Sequence, residues 1–561
     1  MSVPRVLQVS LLLFGSGMSA LIYQTVWMRE FRLIFGMSTL ANAAVLSIFM
    51  GGVGIGSFVL GRRVDHHPQP LFLYAKWEFF VTLSAALTPI FLLGVDQIYV
   101  SVGGSSSLGE FLATAVRLFL TFIALCLPTF YMGGTLPAAV RAIGKTEDFA
   151  RTDCALLYGV NTLGAVTGVL LAVFYCIEHF GHLHTLWAAC LINATLAGVA
   201  YRLAPCFATP PREPSDETAA RSSSIVWFAA AVSGFVFFFM EIVWYRMLSP
   251  VLGGSVYTFG LILVAVLLGI GAGGIAYAFS GKKAEATYQA LAFSFALEAL
   301  AIIFPYAMGD RIAILALSLR QSAAESFLFT SLGWLAIALL VVFPTAFVAG
   351  IQFPLIVSLG RKDVGRIGRQ VGQVYAWNTG GAIAGAIVGG FGALPLLMAK
   401  GAWNACAIFL IVCAIGIGAR SIQEAGFRRK TVGLAALIGF TIVLFFSNGP
   451  TAMWRHTGIG AGTTQLMSKK KNDITRVIRA ENRSILWEVE GREASLARRE
   501  DTFIVNGKVD GGILGDAGTQ IMAGLIGALL NPKAKHALVI GLGTGSSAGW
   551  LGEVPSLESV D

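Results

Sequence analysis

The sequence predicts an all-α polytopic membrane domain of two parallel six-helix repeats plus a thirteenth helix, followed by a partial α/β domain opening on a β-hairpin. Three observations carry this. First, 56% of the 561 residues are apolar and only 13% charged, against about 25% charged in soluble domains. A surface so poor in charge suits a chain whose exterior faces lipid. Second, Gly17–Arg29 returns at Gly234–Arg246. Trp27 and Trp244, Arg29 and Arg246, Ser16 and Ser233, and Gly36 and Gly253 all stand 217 residues apart. So do Gly52, Gly54 and Gly56 with Gly269, Gly271 and Gly273, and Tyr158, Asn161, Thr162, Gly164 and Gly168 with Tyr375, Asn378, Thr379, Gly381 and Gly385. Drift does not keep one spacing over so long a stretch, so the unit is duplicated. Third, composition changes after Asn448, where charged stretches and short strand patterns replace the long apolar runs.

A bilayer core about 30 Å thick needs roughly 20 apolar residues per helix. Windows of that length fall at 6–26, 37–60, 72–95, 111–140, 155–178 and 183–201, then at 224–245, 254–279, 288–308, 327–358, 371–397 and 402–419. The first follows only Arg5 and lacks a small-residue cleavage site, so it reads as a retained helix. Residues 1–204 and 224–420 are then the two repeats, and the Pro- and Ser-rich 205–223 is the linker. Pro128 and Pro137, and Pro344 and Pro354, predict kinks or breaks in the fourth helix of each half. An even helix count per half gives both halves the same topology, related by an axis along the membrane normal. In helix count and repeat type this part resembles the major facilitator architecture. The run Thr431–Ser447 is short for a span but predicts a thirteenth crossing.

Arg62 and Arg63, Arg141, Lys145 and Arg151, Arg202, Arg212 and Arg221, Lys282 and Lys283, Arg361 to Arg369, and Arg420 to Lys430 occupy alternate connections. Positive residues favour the cytoplasmic side. The expectation is a multi-pass inner (plasma) membrane protein with a cytoplasmic N-terminus, the bilayer as partner, and a tail outside. The net charge of +9 is therefore a topology signal and does not point to nucleic acid. Seven cysteines lie between Cys126 and Cys413 without CxxC or Cys/His spacing, so no metal site is expected.

Polar residues within apolar helices mark cavities or interhelical hydrogen bonds. Gln24 and Glu241 share one repeat position, where only the second copy is charged. Glu78 and Glu298 fall in the third helix of each half, and Asn161 and Asn378 in the fifth. Gln24, Glu241, Glu298, Asn161 and Asn378 are the candidates for a site between the halves taking a polyamine or other small cation or a proton. Helix packing is the alternative for the two asparagines, since both copies keep them.

In 449–561, Ser484–Glu490 and Thr502–Asn506 read as strands, Asn506-Gly507 as a tight turn, and 516–530 as a helix closed by Asn531-Pro532. Within the charged 469–501, the lysine run Lys469–Lys471 reads as solvated loop. His536–Ile540 then runs into Gly541, Gly543 and Gly545, a helix at 547–551 and a second strand at 557–561. That is a Rossmann-like (class I methyltransferase-like) start, in which the glycines let a nucleotide approach a helix N-terminus. Residues 502–561 resemble the start of a polyamine aminopropyltransferase (spermidine synthase) domain. The stretches are Asn506–Asp510, Gly515–Met522 and Gly541–Ser546. The resemblance implies aminopropyl transfer from decarboxylated S-adenosylmethionine, or binding of a related adenosyl nucleoside. Its binding residues would be Gly541, Gly543, Thr544, Gly545, Asp561, Asp510 and Gln520. Asp510, Thr519 and Thr544 depart from the family's Gln, Tyr and Asp, and the family's catalytic aspartate lies beyond Asp561, so the chain reads as truncated inside that domain and short of catalysis. The main expectation is a membrane-embedded spermidine-synthase-like protein; the other is a transporter of a polyamine or small cation.

Overall fold

A computed structural model describes residues 4–561 except 36–38, 144–146, 209–223, 281–285, 323–325, 361–366, 426–428, 465–470 and 492–493. Nearly all of the 205–223 linker, and Lys145, Arg212, Arg221, Lys282, Lys283, Arg361, Lys362, Arg366 and Arg428, lie outside the described residues.

The first half is α1 (Arg5–Phe35), α2 (Thr39–Asp65), α3 (Pro70–Ser101), α4 (Gly104–Ile143), α5 (Glu147–Leu171) and α6 (Ile177–Leu203). The second is α7 (Ser224–Leu252), α8 (Val256–Phe279), α9 (Tyr288–Met308), a short α10 (Asp310–Ser322), α11 (Phe327–Leu359), α12 (Ile367–Ile387) and α13 (Leu394–Ala425), followed by α14 (Arg429–Phe445). Among the described residues, 10 helical stretches are long and apolar enough to cross a membrane. Two of them, Thr152–Phe207 and Ile367–Ser421, run 56 and 55 residues, far beyond the roughly 20 that one crossing takes. Each is interrupted once, at Gly181 (φ 72, ψ 178) and at Met398 (φ 58, ψ 167). These residues stand 217 apart, and each follows a π-helical turn, Ala172–Cys176 or Val388–Ala393. Both long stretches therefore fold back as two crossings, and the breaks obey the repeat. The prolines do not break their helices. Helix α11 carries both its prolines without non-helical backbone, and in α4 the one departure is at Gly109, far from Pro128 and Pro137. The sharp reversals fall instead where the backbone enters the left-handed region.

The duplication is visible as packing. A Cβ at Gly17 would fall 2.0 Å from the Asn161 carbonyl oxygen, and one at Gly234 would fall 1.9 Å from that of Asn378. Likewise Gly164 abuts Phe14, and Gly381 abuts Ala231; Gly56 abuts Phe130, and Gly273 abuts Phe347. Every contact recurs with its partner shifted by 217 residues. Small residues let helix backbones approach this closely, which is what drives association in lipid.

Two seams join the halves, α2 against α12 and α5 against α8. They are tightest toward the end where α1 begins, called here the N-face. A Cβ at Gly61 would lie 2.7 Å from the Gly368 carbonyl oxygen, and one at Gly159 2.8 Å from that of Gly271. At the same end Asp65 accepts from the backbone amides of Gly368 (2.9 Å) and Arg369 (2.8 Å), with Arg141 3.8 Å away. A carboxylate on the N-terminus of α12 satisfies free amides and the helix dipole together.

Helix α14 returns the chain to the opposite, tail face. There α15 (Ala452–His456) docks on the second half. Buried Trp454 donates to the Met247 carbonyl at 2.6 Å, Thr451 donates to Asp310 at 2.5 Å, and Arg320 donates to the Ile459 carbonyl at 2.7 Å. Beyond it come α16 (Lys471–Ser484) and the antiparallel meander β1 (Ile485–Glu490), β2 (Ser495–Arg499), β3 (Thr502–Val505) and β4 (Lys508–Gly512). Asn506 and Gly507, both at positive φ, make the β3–β4 turn. Sequence reading missed α16 and β2, because alternating charge hid a helix whose Val477 and Ile478 pack on the core. Glu490 accepts from the Ala399 amide, just past the Met398 break, at 2.5 Å.

The expected Rossmann-like domain is not what the tail shows. After α17 (Ala517–Leu530), strands β5 (His536–Ala537) and β6 (Ser559–Val560) are two residues each, paired in parallel around α18 (Ser546–Gly552). Leu538, Ile540 and Leu542 are largely exposed. The described residues show one short parallel ladder, and a doubly wound sheet is not shown among them.

The tail's docking turns on a charge cluster. Glu488 accepts from Arg455 at 2.6 Å and from buried His456 at 2.9 Å. Burial opposes its charge, but the His456 hydrogen bond and the Arg455 guanidinium outweigh that and hold the carboxyl down at about 2 from 4.5. A depressed carboxyl contributes stability that is complete above its unfolded value and is lost as pH falls through the folded one. Hydrogen exchange of the tail, taken relative to the intrinsic rate at each pH, should therefore stay slow down to about pH 4.5 and quicken progressively between about 4.5 and about 2. In Glu488→Gln it should be faster at neutral pH and flatter with acid. At the N-face, Asp65→Ala should raise thiol labelling of a cysteine at Ser57, in a cysteine-free background, by about tenfold, since each charge-assisted hydrogen bond lost is worth about 1.5–3 kcal/mol.

Candidate functional site

Between the halves lies a cavity of about 230 Å3. Its walls come from α1, α2, α4 and α5 and from their repeat images α7, α8, α11 and α12. Most lining residues come as pairs 217 apart, such as Ser16 with Ser233, Tyr158 with Tyr375, and Thr162 with Thr379. The cavity therefore sits on the pseudo-two-fold axis. Drug-sized sites run roughly 300–1,000 Å3, so this one suits a small occupant.

Four of the five membrane candidates meet here. Gln24 and Glu241 line the cavity from opposite halves, as do Asn161 and Asn378. Among the described lining residues Glu241 is the sole carboxylate. No described residue hydrogen-bonds or ion-pairs with it. Arg246, five residues on, instead donates to the Gly491 carbonyl of the tail at 3.1 Å. Asn378 also serves packing, donating to the Ala230 carbonyl at 3.2 Å. The symmetry breaks in bulk as well as charge. Ala20, Leu21 and Leu136 face Phe237, Phe238 and Phe353, so the second half supplies both the carboxylate and most of the rings. Aromatic faces attract cations, so this wall can hold an ammonium group and its hydrocarbon.

Glu298 is placed elsewhere. It lies on α9, wholly buried behind α7, and accepts from Gln352 at 2.7 Å. Glu78 on α3 is likewise buried, with Ser16 and Tyr74 beside it. The sequence marks Ser233 only as the repeat partner of Ser16 and does not point to Gln352 or Asp65. The repeat offers no signal for Gln352, because its image is Thr135.

In the tail, Asp510, Gln520, Gly543 and Thr544 converge. Thr544 donates to the Gln520 side-chain oxygen, Gln520 donates to the Gly512 carbonyl at 3.2 Å, and a Cβ on Gly543 would stand 3.2 Å from Asp510. Gly541, Gly543 and Gly545 all have positive φ, and Gly545 caps α18. Asp561 meets this segment through its backbone, donating to the Ala537 carbonyl at 2.9 Å.

No known family and no curated protein matches the sequence. Solved structures do. A bacterial homologue of the iron transporter ferroportin in the outward-facing state covers 74% of this chain and 100% of its own, at 12% identity and TM-score 0.50. The human organic anion transporter MFSD10 (TETRAN) covers 74% and 100%, at 14% identity and TM-score 0.49. The major facilitator superfamily proton:xylose symporter XylE, bound to 6-bromo-6-deoxy-D-glucose, covers 77% and 98%, at 12% identity and TM-score 0.45. At such identities the likeness is one of fold. It corrects the main expectation: the structure matched at TM-score 0.50 is a homologue of a transporter, and nothing shows a spermidine-synthase-like domain, so the membrane-embedded aminopropyltransferase is set aside. The short glycine and aspartate stretches that suggested it build the expected hairpin turn and strand–turn–helix, with no synthase-like domain shown around them. The chain has a mostly helical, polytopic membrane fold like that of the ferroportin homologue.

Proposed function

We propose that this protein moves a small organic cation, of the amine or polyamine kind, across the inner (plasma) membrane, with Glu241 as the carboxylate that receives it. One observation carries the reading: a carboxylate without a partner among the described residues faces the cavity between two repeated halves, where the first half places the neutral Gln24. An ionisable group inside a membrane bundle is costly and marks a cavity or pathway. Duplicated halves around a midplane site are the arrangement that rocking transporters use. The aromatic rings clustered on the Glu241 side support a cation over an anion. Described Arg62, Arg63, Arg141, Arg202, Arg369 and Arg420 lie at N-face helix ends, which favours a cytoplasmic N-face and an external tail.

The test is uptake into proteoliposomes, with putrescine, spermidine and tetramethylammonium as probes. Glu241→Gln should cut uptake of the transported probe by about tenfold or more, since breaking a buried charge pair costs about 2 kcal/mol or above. Glu241→Asp should keep part of it. Undiminished uptake in Glu241→Gln removes Glu241 from the mechanism, and no uptake of any probe by the wild type removes the cation reading.

A further inference from the structure

A second polar site lies one layer behind the cavity, and it is wired to it. Glu298, Gln352 and Ser233 come from α9, α11 and α7 and are 0%, 0% and 5% exposed. Gln352 donates through Nε2 to Glu298 Oε2 at 2.7 Å, and Ser233 Oγ donates to Gln352 Oε1 at 2.9 Å. Ser233 also lines the cavity. Glu298 Oε1 is buried with no partner among the described residues. The titratable groups facing Glu298 are the thiols of Cys406 and Cys413 on α13; no cation stands among its described neighbours.

The orientation of the amide follows from the charge on Glu298. An ionised carboxylate can only accept, so Gln352 must turn its NH2 toward it. Its oxygen then faces Ser233, whose O–H is drawn inward and whose lone pairs are left for the cavity. A protonated Glu298 can donate instead. When it donates to the Gln352 oxygen, the amide turns over, its NH2 donates to Ser233, and the Ser233 O–H swings into the cavity. Hydroxyl polarity at the wall thus reports the protonation state one layer back. An ammonium ligand brings only donors, so it matches the wall of the ionised state and opposes that of the neutral one.

We infer that Glu298 is a proton-binding site whose occupancy, relayed by Gln352 and Ser233, excludes a cation from the cavity, so that cation and proton bind in exchange for each other. Coupling of this kind is reciprocal: the cation must lower proton affinity at Glu298 by the factor that the proton lowers cation affinity. Glu78 in the first half has Ser16 as its neighbour, and the image of Gln352 there is Thr135. The amide relay therefore belongs to the half that carries Glu241.

The full-length protein in lipid vesicles tests this in two ways. Without any cation, pH-difference infrared spectra should contain a titrating carboxyl band that Glu298→Gln removes and Gln352→Leu shifts but keeps. A Glu298→Gln spectrum identical to the wild type overturns the inference. The second arm rests on the cation reading above and uses putrescine. Glu241 also competes with protons, so the wild type should lose affinity on acidification more steeply than Glu298→Gln, by up to about tenfold per pH unit for the one proton removed. Gln352→Leu should behave like Glu298→Gln although its carboxyl still titrates. Parallel affinity profiles in all three proteins overturn the relay. A wild type that binds no putrescine at any pH defeats the transport reading, while the infrared arm still decides the proton site.

Discussion

Backbone-to-backbone contact at glycine holds this molecule together. Lipid offers helices no hydrophobic reason to associate, so packing must come from close approach. Gly17, Gly56 and Gly164 supply it in the first half, and Gly234, Gly273 and Gly381 supply it 217 residues later. A side chain at any of them would collide with a carbonyl oxygen of the facing helix. Because the contacts are duplicated, the two halves pack internally alike. The residues left between the halves therefore face each other in pairs, and the cavity inherits a pseudo-two-fold axis. Function enters where the pairs differ, at Gln24 and Glu241 and at the leucine-for-phenylalanine exchanges around them.

The two faces differ as well. The N-face is sealed across both seams by Gly61 against Gly368 and Gly159 against Gly271, and is fastened by Asp65 on the start of α12. The tail face carries the docked segment, whose contacts run to α7, α10 and α13 of the second half. Glu490 touches the chain at Ala399, where α13 restarts. The tail thus stabilises a break that the first half makes with glycine but the second makes with Met398, a residue for which that backbone region is strained.

Much of the membrane part is legible in sequence. The offset of Trp27 and Trp244 identifies the duplication, and the charge missing at Gln24 points to Glu241. The Gly181–Met398 break was equally within reach of the offset, but a methionine does not announce a positive φ. Breaks are absent at the prolines because a membrane bundle can satisfy the carbonyls that proline frees. Gln352, and any role of Ser233 beyond its place in the repeat, could not be read, since a hydrogen-bonded relay depends on side chains from α7, α9 and α11 meeting in space. The tail was legible element by element at Asn506-Gly507 and α17, and misleading as a whole. Glycine turns of similar spelling serve many folds, and only the length of the strands beside them decides which.

Transport as proposed requires two internally rigid halves that expose the site between them by turns. Distances between paired spin labels measure that most directly, with one pair at Arg63 and Arg369 on the N-face and another at Leu33 and Val256 on the tail face. On adding a transported cation the account predicts opposite changes, the N-face distance lengthening as the tail-face distance shortens. Two distances that lengthen together, or that both stay fixed while cation is being carried, would contradict it.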